Sequence, residues 1–353
     1  MGYLATFLAF NLIIFIHEMG HLWVARWGGI AVSEFSIGMG PRLFHFTIRS
    51  IRYSWRLFPI GGSVQIVGMG DEDEVATNGT SYRQTSVWRR FLAVVAGSGA
   101  NILLGFLVFL VLFSVVGILS PTTKIQSIRP HTPASEVLQV GDVILAMNGK
   151  QVTDVETDLI APLQAWGRRP LDLTIQRQGD TQVVSLTPIQ QRKRTVIGVE
   201  FGLQKIPGTT RPLSVLQHAT MMTWHTSVRS IQSIYWLITG AVSLNEVTGV
   251  VGMVQVGAYG YNSGLVQFLS LLAVISIGLG VVNLLPLPVL DGGHVVLLAL
   301  EAIRKKPLPL AIENKIASVF FALLMGLMVL FLFSDIRLWN QRHQQFSTHR
   351  TQP

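Results

Sequence analysis

A chain of 353 residues with 49% hydrophobic and only 13% charged residues, and a mean hydropathy of +0.46, is too apolar for an ordinary soluble domain and fits several segments in lipid. It contains no cysteine, which excludes disulfides, thiolate metal sites and a cysteine nucleophile. The net charge of +8 does not argue for nucleic acid, because the basic residues collect beside the apolar runs, where anionic headgroups and topology account for them.

The first apolar run, Tyr3 to Val24, is expected to be a retained membrane helix. It lacks the basic start and small-residue cleavage site of a signal peptide, and it leads directly into His17-Glu18. Asn11, His17, Glu18 and His21 interrupt its inner half, and ionisable groups within a membrane helix normally mark a site. Residues 28–90 hold no span. They carry Arg42, Arg49, Arg52, Arg56, Arg83, Arg89 and Arg90, and they alternate polar and apolar over Leu43–Ile48 and Ser63–Val67. This predicts a β-hairpin region at about 42–68, with short strands and a glycine turn at Gly61-Gly62. The acidic run Asp71–Glu74 reads as a solvated loop.

A second span is expected over Phe91–Leu119, flanked by Arg89-Arg90 and Pro121. Gly97, Gly99 and Ala100 give it a small-residue face, and Asn101 is its one strongly polar group. Residues 122–205 read as a small, mostly β soluble domain with turns at Asn148-Gly149 and Gln178-Gly179. Residues 213–240 have the pattern of an amphipathic interface helix, and the glycine-rich stretch 241–264 is expected to be loop. The next run, Leu265–Leu300, should be helical to about Leu284 and then break at Pro286 and Pro288. A last span is predicted over Ile316–Phe333.

The expected organisation is a polytopic α-helical membrane protein. Its parts are an N-terminal membrane half at 1–121, a domain at 122–205, an interface helix and loop at 206–264, and a C-terminal membrane half at 265–353. The basic clusters after the first span, before the second and after the third fall on one side of four crossings. The positive-inside rule makes that side cytoplasmic and leaves both termini and the inserted domain outside.

His17-Glu18-Met19-Gly20-His21 carries the chemistry. Positions i and i+4 share a helix face, so two imidazoles can bind one zinc (Zn2+), and the glutamate between them can take a proton from the attacking water. A catalytic zinc needs a third protein ligand. Asp291, at the broken end of the third span beside Gly292-Gly293, is the leading supplier, with His294, Glu246 and Asp335 as rivals. Asn283 could hold a substrate carbonyl or a developing oxyanion, or it could satisfy backbone groups freed by Pro286.

These segments together resemble the site-2 protease family of intramembrane zinc metalloproteases, in the bacterial branch with one PDZ-like domain. The likeness rests on His17-Glu18-Met19-Gly20-His21, on Phe58-Pro59-Ile60-Gly61-Gly62 with Val64, on Arg90-Phe91 through Ala96-Gly97 to Asn101, and on Asn283-Leu284-Leu285-Pro286-Leu287-Pro288-Val289-Leu290-Asp291-Gly292-Gly293. Pro133-Ala134, Val140-Gly141-Asp142 and Asn148-Gly149 resemble a PDZ core. The resemblance implies His17, His21 and Asp291 as zinc ligands, Glu18 as general base, Asn283 near the scissile bond, and a substrate peptide paired with the region Ile48–Val67. It leaves His294 as a packing or outer-shell group.

By the same resemblance the substrates are single-span membrane proteins such as an anti-sigma factor, shortened first by a site-1-type protease, and the setting is the bacterial inner membrane with its lipids. Two departures, Ser98 in place of a proline and Thr248-Gly249-Val250-Val251-Gly252 in place of a Ser-Gly-Pro stretch, are expected to leave the metal chemistry untouched. Two other functions fit the motifs less well. A zinc transporter or sensor would need a polar relay through several spans, and a non-catalytic PDZ scaffold would not need Glu18.

Overall fold

Leucine, isoleucine, phenylalanine and alanine make up half of the first helix, α1 (Gly2–Trp27), and keep it apolar despite Asn11, His17, Glu18 and His21. Among the described residues, four helices are long and apolar enough to cross a membrane: α1, α2 (Val87–Val115), α7 (Leu265–Asn283) and the stretch Leu310–Leu330 of α9 (Leu310–Thr348). The computed structural model describes residues 1–69, 78–117, 119–130, 132–153, 155–191, 194–205, 211–240 and 249–348. The acidic run 71–74 lies outside them. Two units make up the chain, residues 1–112 with 216–353, and residues 113–215. α2 ends earlier than its apolar run suggests, because Gly117 turns into the left-handed region (φ +83°) and Leu119 already opens a strand.

In the first unit, α1 is followed by two long strands, β1 (Val32–Ile48) and β2 (Ile51–Ile66). The turn between them is Arg49-Ser50, both at positive φ, not Gly61-Gly62. Those glycines lie inside β2, where the register jumps from Met39↔Phe58 to Ile37↔Gly62. Gly61, at φ +86°, takes up the extra length as a bulge.

The long ribbon is then folded over on itself. Residues 34–37 pair with 65–62 on one side, and on the other lie beside 52–55, with both numbers rising together. Residues 52–55 also pair with 47–44. Two strands thus make four plies, with 62–65 and 44–47 at the edges. Glu34, 1% exposed, clasps the fold. Its carboxylate accepts from Arg42 Nη2 (2.8 Å), Arg56 Nη2 (2.9 Å) and Ser54 Oγ (2.9 Å), with Arg52 at 3.5 Å. A buried carboxylate this fully paired avoids the cost of an uncompensated charge. Three of the arginines that composition assigns to headgroups and topology therefore also do an internal job.

The second unit is β-rich. It contains β3 (Leu119–Ile128), α3 (Ala134–Val137), β4 (Val143–Met147), β5 (Lys150–Gln151), α4 (Ala161–Trp166), β6 (Leu171–Arg177), β7 (Asp180–Leu186), β8 (Ile189–Gln191), β9 (Arg194–Val196) and β10 (Val199–Lys205). Its main sheet runs β10-β3-β4-β6-β7, with β5 on β4. Leu171, Leu173 and Ile175 alternate into a core with Ile125, Ile144 and Leu163, as period two requires. Asn148-Gly149 and Gln178-Gly179 are the expected turns, all four residues at positive φ. Arg177 donates twice to the buried Asp142 and holds that carboxyl below its usual range.

Back in the first unit, α5 (Pro212–Ile238) takes the place of the predicted interface helix. The expected loop after it is corrected in part: residues 241–248 lie outside the described residues, but Val250–Ser263 is helix α6. Its glycines serve contact, not bending. A Cβ on Gly257 would stand 2.2 Å from Thr6 Cγ2 of α1. α7 ends at Asn283, close to the predicted break. After a turn over 284–290 the chain restarts as α8 (Asp291–Arg304).

Candidate metal centre

His17 and His21, one turn apart on α1, meet Asp291, the first residue of α8. The turn before α8 is held by short backbone bonds, Leu287 N–H to the Leu285 carbonyl (2.7 Å) and Leu290 N–H to the Leu287 carbonyl (2.9 Å). It folds back so tightly that a Cβ on Gly292 would lie 2.2 Å from the Leu285 oxygen. The Gly-Gly pair is there to admit that fold-back, which aims Asp291 at α1.

With one ligand atom from each residue, the three donors lie within 4.8 Å of one another, a spacing that could hold a metal ion. His17 Nε2 and His21 Nε2 are 3.2 Å apart; Asp291 Oδ2 is 3.5 Å from the first and Oδ1 is 3.4 Å from the second. Zinc bonds of about 2.0–2.1 Å at tetrahedral angles hold ligand atoms about 3.3–3.4 Å apart. Three protein donors leave a fourth position open, as a catalytic site requires. Among the described residues this is the one His/Asp/Glu cluster with metal-binding spacing. His294 lines the same cavity but does not join the cluster. Asp335 is occupied elsewhere, accepting from the Gly249 and Gly252 amides at the start of α6. Glu246 lies outside the described residues.

One face of α2 contacts all three members of the cluster. The Ala93 carbonyl lies 2.9 Å from His21 Nδ1. A carbonyl only accepts, so Nδ1 carries the proton and Nε2 keeps its lone pair for a metal. Gly97 leaves room for the same ring, since a Cβ there would sit 2.2 Å from His21 Nε2. Ser98 Oγ donates to Asp291 Oδ2 at 2.9 Å. The Asn101 amide lies 3.3 Å from His17 Nδ1, and its Oδ1 is buried without a partner. A half-turn of that amide gives Oδ1 the Nδ1–H of a metal-ligating His17. α2 is tied in turn to α8 by a bidentate pair between Arg90 and Glu301.

The expectation that Ser98 stands clear of the metal chemistry is therefore corrected. Its hydroxyl is fully buried and bonded to the third ligand. Ser98→Ala should weaken zinc retention by about 10-fold, the lower end for loss of an outer partner. Ser98→Thr should keep it. Chelator competition followed by elemental analysis reads this directly, and equal retention in all three proteins would remove Ser98 from the site.

Glu18 and Asn283 share a cavity of about 340 Å3 with the ligands, and Ser63, Val64 and Ile66 form part of its wall. The Val64 amide faces the Glu18 carboxylate, and a Cβ on Gly62 would lie 3.1 Å from Glu18 Cγ. Asn283 Nδ2 is 3.3 Å from His17 Nε2. The cavity thus joins a carboxylate, a side-chain amide and an edge ply of the β ribbon around the His17/His21/Asp291 cluster. Sequence reasoning passed over the Ala93 carbonyl, which as a backbone group leaves no mark in the residue code.

The profile of peptidase family M50 matches residues 5–327. A protein of Agrobacterium fabrum described as a candidate zinc metalloprotease is 30% identical over 95% of this chain and 96% of its own. One of Clostridium perfringens with the same description is 31% identical, over 93% and 96%. The zinc metalloprotease RasP of Oceanobacillus iheyensis is 27% identical, over 94% and 98%. Among solved structures, the PDZ domain of the SdrC-like protein of Listeria monocytogenes covers 23% of this chain and 86% of its own, at 18% identity and a TM-score of 0.21.

Proposed function

The chain belongs to peptidase family M50, and from that membership we propose that it is a site-2-type intramembrane endopeptidase, similar to the regulator of sigma-E protease. It cuts single-span membrane proteins, anti-sigma factors among them, after a site-1-type protease has shortened them. The observation that carries this reading is the His17/His21/Asp291 cluster with Glu18 in the same cavity, on a helix apolar enough to span a membrane.

His17, His21 and Asp291 would hold a zinc ion, which would supply Lewis acidity toward the scissile carbonyl and the attacking water at neutral pH. Glu18 takes the proton from the attacking water and returns it to the leaving amine. Asn283 donates its amide hydrogen to the carbonyl oxygen as charge builds. The substrate unwinds and adds as a strand to the edge ply Gly62–Gln65, which brings its backbone past Glu18. The basic clusters support an orientation with residues 28–90 and 301–314 in the cytoplasm of a bacterial cell and the PDZ-like unit and both termini outside it.

The test is a panel of tagged single-span substrates, each full-length and pre-trimmed, incubated with the protein in liposomes. Trimmed versions should be cut faster. No cleavage of any member by zinc-loaded protein would overturn the peptidase reading, and equal rates on long and trimmed versions would overturn the requirement for a first cut.

A further inference from the structure

We propose that the face of α1 turned away from the metal ligands binds one anionic phospholipid, with an acyl chain between α1 and the β ribbon and the phosphate at Arg26 and Arg49. Two adjoining cavities form the site. One, of about 330 Å3, is walled by Phe15, Phe35, Ile37 and Trp55. The other, of about 260 Å3, is walled by Leu22, Trp23, Arg26 and Arg49. Met19 and Tyr53 line both, so the two are parts of one groove.

On α1 the lining residues 15, 19, 22, 23 and 26 recur every three or four positions, which makes one stripe. At 100° per residue Met19 lies about 160° around the helix from His17, and Arg26 about 180°. Leu22 lies only about 40° from Glu18 on the same count, but the groove shares no lining residue with the catalytic cavity and is separate from it.

Its length and polarity select the ligand. From Phe15 to Arg26 the helix rises about 16 Å, at about 1.5 Å per residue. That is half of the roughly 30 Å hydrocarbon core, the depth of a single leaflet. The Phe15 end is lined almost wholly by carbon, and the far end carries two guanidinium groups, with no acidic residue among the described residues that line either cavity. Arg26 spends one amine on the Asn78 carbonyl (3.0 Å), which fixes it at the groove mouth with other donors free to turn outward. Arg49 is exposed at the ribbon turn. Trp23 and Trp27, 68% and 83% exposed, mark the same level of α1 as an interface, where headgroups lie. A chain of carbon ending in a phosphate at that level is a phospholipid of the leaflet that α1 enters at its C-terminal end. The occupant would brace the ribbon, and with it the Gly62–Gln65 edge, against the catalytic helix.

The test uses full-length, zinc-loaded protein in detergent, with bound lipid measured by native mass spectrometry during titration with phosphatidylglycerol, phosphatidylcholine or inorganic phosphate. Wild type should retain phosphatidylglycerol about 30-fold better than phosphatidylcholine, the ratio two arginines near a headgroup provide. Arg49→Gln, on an exposed turn where folding is not at stake, should lose about 5-fold of that preference, and Arg26→Gln with Arg49→Gln nearly all of it. Met19→Trp, which fills the groove, should lower retention of both lipids while zinc content and helicity stay unchanged. If Met19→Trp misfolds, the arginine series alone decides. Equal retention of the two lipids by wild type, an unchanged preference in the double variant, or equal occupancy by inorganic phosphate would each overturn the site. So would protection of the groove by a substrate peptide and not by lipid.

Discussion

Glu18→Gln should lower cleavage by roughly 10²-fold or more, the usual scale for loss of a general base, in protein that still binds zinc. The carboxylate lines the same cavity as His17, His21 and Asp291 but lies outside the group of donors spaced for a metal. It faces the Val64 amide on the ribbon edge, where an extended peptide would lie. Glutamine keeps the size and one hydrogen-bonding oxygen and loses the basic site. A carboxylate kept within an apolar helix costs several kcal/mol before compensation, so a purely structural group there would be better served by glutamine itself. The measurement is the initial rate on a trimmed substrate, with zinc content determined on the same preparation. A rate within a few-fold of wild type would take Glu18 out of the mechanism, and joint loss of zinc and rate would reassign it to structure.

Asp291→Ala should empty the site. It removes one of three donors and the cluster's one anionic member, leaving two imidazoles 3.2 Å apart. The loss should exceed the 10–100-fold typical of an outer partner, so protein purified without added zinc should carry far less than one ion per chain by elemental analysis. Asp291→Asn tests charge apart from shape, since the amide can still accept from Ser98 through its oxygen. It should bind zinc more weakly than wild type and better than alanine. His294→Ala should leave zinc content near that of wild type, because His294 stands outside the cluster. If His294→Ala loses zinc and Asp291→Ala does not, the third ligand has been assigned to the wrong residue.

The histidine pair was legible because helical spacing alone puts positions 17 and 21 on one face, and lipid removes the ordinary reasons for having them there. The third ligand was legible only as a choice among residues. The glycine pair beside Asp291 favours it over His294, and the fold-back at 284–290 separates them in space: it aims Asp291 at α1 and leaves His294 in the same cavity but outside the cluster. Glycine misled twice. In soluble chains it marks turns, but at Gly257 it lets helices touch and at Gly61 it absorbs a bulge. Ser98 was misjudged because a hydroxyl in an apolar run has no sequence-visible partner, and its acceptor lies 193 residues away. The clasp on Glu34 was hidden for a similar reason: its arginines are close in sequence, but the folded ribbon alone brings them around one carboxylate.

The placement of the three ligands along the chain has a consequence for synthesis. His17 and His21 leave the ribosome early, and the whole β-rich unit must be translated before Asp291 exists. At about 5–20 residues per second that interval is roughly 15–50 s. Throughout it the nascent chain holds two imidazoles and a base in lipid with no third donor. α2 follows α1 far sooner, and the Ala93 carbonyl and the Asn101 amide reach the two rings first. The catalytic helix is therefore made safe for the bilayer by its neighbour while it is still incomplete as a metal site, and hydrolytic power arrives only when the C-terminal half has docked.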